Sequence, residues 1–287
     1  MQVLDSVRHM NRAIVRSVHT AIAMAHRPVY FVPEANEEYA ALGVEPGRGT
    51  YFASRTAAIG VVPDEVILAT FYNFSERAVR TAEIGKVWSG ASPDALQAAR
   101  FGVVRRSFDR VGCVPPDDQI AEARALIDPV VAGLNLAGKP LAAANASVAL
   151  PKDALLALWQ QLTIVREWRG DVHIALLIAN DIGPCECMVL QVGTGRFPFA
   201  VTQATRMWNE QEWAQAIVRL HDRGWVTADG AMTEAGHAAR EHLEDETDRL
   251  CEPIWKPIGE AGATRLAEIL DPIHVAMSAA GTYGPLA

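Results

Sequence analysis

The chain reads as though it were written twice, and no other feature constrains its fold as strongly. Asp109-Arg110-Val111-Gly112-Cys113 returns as Asp248-Arg249-Leu250-Cys251, and Ala125-Leu126-Ile127-Asp128-Pro129 returns as Glu268-Ile269-Leu270-Asp271-Pro272. Gly138-Lys139-Pro140-Leu141 pairs with Tyr283-Gly284-Pro285-Leu286. Ala69-Thr70, ahead of Phe71, Tyr72 and Phe74, pairs with Ala204-Thr205 ahead of Met207 and Trp208. Position 69 maps to 204, 109 to 248 and 128 to 271, so the offset grows slowly from 135 through 139 to 143. Four short matches in one order, with a small drift in one direction, describe a duplicated unit of roughly 140 residues. The small-residue stretch from Ala137 to Ser147 is the expected junction, giving a first repeat over 1–146 and a second over 147–287.

Both units are expected to be mainly helical. Asp153 can cap a helix running to Trp168, whose Leu155, Leu158, Trp159, Leu162 and Val165 form one apolar stripe. Gly170 is expected to interrupt it, with Val172 to Ala179 resuming as a buried helix. Ser92-Pro93-Asp94 starts another, expected to run through Arg106. Gln119 to Leu134 and Thr264 to Ser278 are the matching terminal helices, each with an internal Asp-Pro expected to kink or break it. In the second unit Asn209 caps a helix over Glu210 to Arg223 that stops at Gly224. Trp225-Val226-Thr227 and Ala231-Met232-Thr233 flank the turn Ala228-Asp229-Gly230, a hairpin pattern, and Glu234 to Leu250 is a long helix. Helix, tight two-stranded wing and helix make a winged helix-turn-helix.

Leu220-His221-Asp222-Arg223-Gly224-Trp225-Val226, followed by Met232-Thr233-Glu234-Ala235-Gly236, resembles the recognition-helix end and wing of MarR-type regulators. Gly259 to Met277 resembles their C-terminal dimerisation helix. Over nearly its full length the chain also resembles an actinobacterial family of helix-turn-helix-like proteins of unassigned function. That resemblance is carried by Tyr30-Phe31-Val32-Pro33-Glu34-Ala35, Tyr51-Phe52-Ala53-Ser54-Arg55, Phe71-Tyr72-Asn73-Phe74 and Arg166-Glu167-Trp168-Arg169-Gly170-Asp171-Val172-His173. The resemblance implies two tandem winged-helix units packed as an intrachain pseudo-dimer with small β-wings. It also implies a ligand site where dimerisation helices meet the winged lobes.

DNA is an unexpected partner for this version of the fold. The helix that would read bases opens with Glu210-Gln211-Glu212-Trp213, and the wing Thr227-Ala228-Asp229-Gly230-Ala231 holds no Lys or Arg. Carboxylates there are repelled by phosphate, and counterion release needs several cationic contacts. The counterpart helix after Asn73 has the more mixed Glu76, Arg77 and Arg80. A net charge of −8 points the same way. No apolar run approaches the ~18 residues that span a bilayer. Met1 to Asn11 shows no leader, and Cys113, Cys185, Cys187 and Cys251 are read as reduced packing residues, so a cytoplasmic location is expected.

Chemistry concentrates in Arg166-Glu167-Trp168-Arg169-Gly170-Asp171-Val172-His173, a polar island between two apolar helical stretches. At helical spacing Arg166, Arg169 and His173 share one face and Glu167 and Asp171 an adjoining one. Two readings stand. The island is an ion-pair network joining the halves, or it is a cavity wall in which Arg166, Glu167 and Arg169 bind a ligand while Asp171 orients His173 as a general acid or base. The related stretch of the first unit, His26-Arg27-Pro28-Val29-Tyr30, is expected to face it, with His26 as a further catalytic candidate. Tyr30, Tyr51, Arg55 and Tyr72 are the candidate ligand-binding residues on that side, beside Glu34. Nucleophile-elbow, phosphate-loop, zincin and dinucleotide motifs are absent, the spacing of Glu167, Asp171 and His173 suits no metal, and no cofactor is named. The expectation is a small-molecule binder or cofactor-independent enzyme that has lost DNA binding, with a ligand-responsive regulator as the alternative and homodimerisation open.

Overall fold

Short polar side chains start the helices where the sequence places them. Ser92 Oγ accepts from Ala95 N at 3.2 Å, Asp153 Oδ1 from Leu156 N at 3.0 Å, and Asn209 Oδ1 from Glu212 N at 2.7 Å. A computed structural model describes residues 9–195 and 197–282. The repeat match at Tyr283 to Leu286, and most of the segment read as lacking a leader, lie outside the described residues. The first part of the chain forms α1 (Arg12–His26), α2 (Pro33–Ala41), α3 (Arg48–Thr56), α4 (Asp64–Thr70), α5 (Glu76–Arg80), α6 (Ile84–Gly90), α7 (Pro93–Val111) and α8 (Asp117–Ala132). Next come α9 (Pro140–Ala146), α10 (Ala154–Ala179), α11 (Pro184–Gly193), α12 (Phe199–Arg206), α13 (Glu210–Asp222), α14 (Glu234–Cys251) and α15 (Gly259–Ala279). 3-10 turns at Arg27–Tyr30 and Glu252–Trp255 follow α1 and α14.

Several expectations about breaks need correcting. Helix α10 runs unbroken through Gly170, because most of its length is buried and tertiary packing outweighs the ~1 kcal/mol that a helical glycine costs. Helices α8 and α15 likewise continue through Pro129 and Pro272. Helix α7 extends past Arg106 to Val111, where Gly112 takes the left-handed cap (φ 71°). The expected junction holds the short helix α9. The wing is reduced to an isolated antiparallel bridge, Val226 to Met232, and no strand forms among the described residues. Thr227 N donates to Ala231 O at 2.8 Å and Thr233 N to Trp225 O at 3.0 Å, so the turn closes without a ladder.

Two hydrophobic clusters form, and they do not divide after Ala146. The larger takes residues from Val15 to Val172 and then Cys251 to Met277, because α15 returns to pack along α1. The smaller joins Leu177, Ile182, Met188 and Leu190 to Ala216, Leu220, Val226 and Leu243. Helix α10 therefore belongs to both. The four cysteines are free and buried. Burial pushes the Cys185, Cys187 and Cys251 thiols up to about 12. No single helix among the described residues is long and apolar enough to cross a membrane, and α10 and α11 meet at a bend of 105°.

Candidate functional site

Tyr51 and Arg55 stand one turn apart on α3 and so share a face, which meets the polar belt of α10. Arg55 Nη1 donates to the Tyr51 hydroxyl at 3.0 Å, and Nη2 donates to both carboxylate oxygens of Glu167 at 3.1 Å. Arg166 bonds the same carboxylate. Aromatic rings enclose the Arg55 guanidinium, with centroids at 4.5 Å for Phe71, 5.5 Å for Tyr30 and 5.7 Å for Tyr51. Arg166 lies 6.0 Å from the Tyr30 centroid.

His26 ends α1 with 0% exposure, stacked on Trp159 of α10 at 4.7 Å and 5.6 Å from the Tyr30 ring. Neither of its ring nitrogens, nor the Tyr30 hydroxyl, has a hydrogen-bond partner among the described residues. Such groups are rare in folded proteins and call for an explanation. Arg100 of α7, 1% exposed, reaches the same place. Its Nη1 donates to Ser54 O at 3.2 Å and its guanidinium lies 5.2 Å from the Trp159 centroid. From across the chain Arg206, at the end of α12, lays its guanidinium 4.1 Å from the Phe74 centroid.

Glu167 is the only carboxylate paired with any of these four arginines among the described residues. Burial pushes its pKa up, but Arg166, Arg55 and Arg100 outweigh that and hold it below the usual carboxylate range. Tyr51 follows the same pattern: burial opposes ionisation, and Arg55, Arg206 and Arg166 pull its hydroxyl below the ordinary phenol value. Arg206 is itself pushed down, first by burial and then by Arg55 and Arg48. Burial, reinforced by Arg166, Arg100 and Arg55, keeps His26 neutral far below its ordinary value. Beside this cluster lies a cavity of about 220 Å³ between the Arg27–Tyr30 turn, α2 and α3, with Tyr30, Tyr39, Tyr51, Thr50 and Ser54 in its wall.

The rest of the polar island points elsewhere. Asp171 does not orient His173, because a two-residue step along a helix turns side chains to nearly opposite sides. Its Oδ2 instead accepts from Ala142 N at 3.0 Å, capping α9 from outside, and burial raises its pKa to about 6. His173 Nδ1 meets Thr247 Oγ1 at 3.0 Å, and burial holds the imidazole at about 4. Arg169 is committed to α14 through Glu244 at 2.7 Å and Asp248 at 3.1 Å, as an ion-pair staple would be. Asp248 also accepts from Arg16 of α1 at 2.6 Å. Arg166 therefore shares a site with Glu167 and not with Arg169. Tyr72 lies in the smaller cluster, donating to Ile182 O at 2.8 Å, and Glu34 pairs with Arg110. A groove of about 500 Å³ between α1, α14 and α15 is larger, but its Arg12 and Arg16 are already matched by acidic residues. No group of three or more His, Cys, Asp or Glu side chains able to hold a metal occurs among the described residues.

Arg100, Arg206 and Trp159 are the members that sequence reasoning did not reach. Arg206 sits inside a quoted repeat match, between Thr205 and Met207, and only its cationic character could have marked it out.

The segments leading into α5 and α13 also meet. Ser75 N donates to Arg206 O at 3.1 Å, Ser75 Oγ to Met207 O at 3.0 Å, and Trp208 Nε1 to Asn73 O at 3.2 Å. Arg48 Nη2 donates to Ala204 O at 3.1 Å. In comparison with known proteins, residues 15–284 match the model of a family described as a helix-turn-helix family. No curated protein and no solved structure matches the chain.

Proposed function

The chain belongs to this helix-turn-helix family, and from that premise we propose that it is a cytoplasmic small-molecule-binding protein on a winged-helix scaffold no longer used to read DNA. Its ligand is an anion held at the seam between α3, α10 and the α12–α13 connection. One observation carries this reading: Arg55 and Arg166 share the single carboxylate of Glu167, while Arg100, against Trp159, and Arg206, against Phe74, pair with no carboxylate among the described residues. An uncompensated buried charge costs several kcal/mol, so such an excess persists where an anion completes it. His26 and Tyr30 add hydrogen-bonding groups with nothing yet to bond. Binding is favoured over catalysis because Asp171 and His173 are separately engaged.

The tandem-repeat architecture draws support from the positions of the matched segments. Asp109-Arg110 falls in the last turn of α7 and Asp248-Arg249 in that of α14, while each Asp-Pro falls inside the helix that follows. Loss of DNA reading draws support from the joined segments ahead of α5 and α13. Paired recognition helices enter successive major grooves about 34 Å apart. Here the residues preceding the two candidate helices are hydrogen-bonded to each other.

A thermal-shift series with small carboxylates and phosphates tests the proposal. At least one anion should raise the Tm of the wild type and leave Arg55→Met unmoved, and a Tm indifferent to every millimolar anion would end it. Family membership favours a second reading, a ligand-responsive regulator. It requires duplex DNA binding that weakens steeply with salt, and a gel shift at low ionic strength decides the matter.

A further inference from the structure

Among the described residues, the four guanidiniums and one carboxylate of the seam leave three positive charges unmatched. A bound monoanion would leave two and a dianion one, which the 25% exposed side chain of Arg166 can share with water. The cations also converge. Arg55 bonds the Tyr51 hydroxyl from α3, while Arg206, at the end of α12, lies 4.1 Å from the Phe74 ring, whose centroid is 5.8 Å from that of Tyr51. Guanidiniums arriving from two directions suit a compact group with several oxygens better than a flat carboxylate, which one fork already saturates. The neighbouring cavity of about 220 Å³ has aromatic and hydroxyl walls. At protein packing density it has room for roughly eight to ten non-hydrogen atoms.

We infer that the seam binds a phosphomonoester-type dianion, with its phosphoryl group between Arg55 and Arg206 and its organic part in the adjoining cavity, and that Arg206 distinguishes this dianion from a monoanion. This rests on the seam being a ligand site. The lowered pKa of Tyr51 agrees with it, since the same spot already favours negative charge on a single oxygen.

Calorimetric titration of the full chain with methyl phosphate, dimethyl phosphate and acetate, at about pH 8 where the monoester is dianionic, separates the outcomes. Methyl phosphate should bind at least about tenfold more tightly than dimethyl phosphate, a monoanion of similar shape. Arg206→Gln should lose about tenfold for methyl phosphate and change acetate binding by less than about threefold. Arg206→Lys should recover part of the loss. Acetate or dimethyl phosphate binding as well as methyl phosphate would overturn the dianion inference and leave the anion-binding seam intact. Methyl phosphate binding that is indifferent to Arg206→Gln overturns it too, by placing the phosphoryl group elsewhere. If none of the three anions binds, both fall. The wild-type comparison decides the ligand class even if Arg206→Gln does not fold.

Discussion

At the scale of single residues, Glu167 and His26 mark two ways of burying a polar group. Glu167 is held between Arg55 and Arg166, so Glu167→Gln strands two guanidiniums. Breaking a buried pair from one side costs about 3–5 kcal/mol, and urea unfolding should register a loss of that order, partly reversed by the ligand anion. His26 has no polar partner to lose among the described residues, so His26→Phe, which keeps the stack on Trp159, should leave stability at pH 7 nearly unchanged while weakening anion binding. His19, His26 and His173 all have folded pKa values below 6.5, so the unfolded chain protonates first and stability falls as pH drops below 6.5. Asp171, raised to about 6, acts in the opposite sense between 3.8 and 6 but is one group against three. Removing His26 should flatten this acid limb by up to about 1.4 kcal/mol per pH unit, as followed by urea midpoints between pH 7 and 4.5. Sequence spacing marked the polar stretch of α10 but could not sort its members. Which of Arg166, Arg169, Asp171 and His173 share a partner depends on whether α3, α9 or α14 lies opposite, and that is long-range information.

At the scale of elements, caps were legible and interruptions were not. Ser92, Asp153 and Asn209 act locally, through backbone groups three residues away, so their effect can be read from the chain itself. Gly170, Pro129 and Pro272 weaken helices by amounts that packing overrides, and the packing partners are distant in sequence. The wing shows the reverse failure, because the hairpin pattern at Asp229-Gly230 closes a turn but recruits no further pairs. What fixes that turn is Gly236 in the first turn of α14, where an added Cβ would come within 2.0 Å of Trp225 O. Gly236→Ala should therefore separate the turn from α14 and destabilise the protein by about 1–3 kcal/mol, with amide exchange rising first across Trp225 to Thr233.

At the scale of the whole molecule, the sequence matches that suggest two units do not correspond to a division of the core into two bodies. Helix α15 packs along α1, and α10 contributes to both hydrophobic clusters, so residues 1–146 and 147–287 each lack part of a core. Expressed separately, each half should show little cooperative unfolding by circular dichroism. The mixed halves should regain it, whereas two independently folded fragments would contradict the shared core. The bonds of Ser75 and Trp208 to the opposite segment have a further consequence, which concerns concentration. They tie the segments entering α5 and α13 to each other within one chain, so the spacing of these two helix starts is set by folding and is the same however dilute the protein, whereas between two separate subunits it would depend on their association.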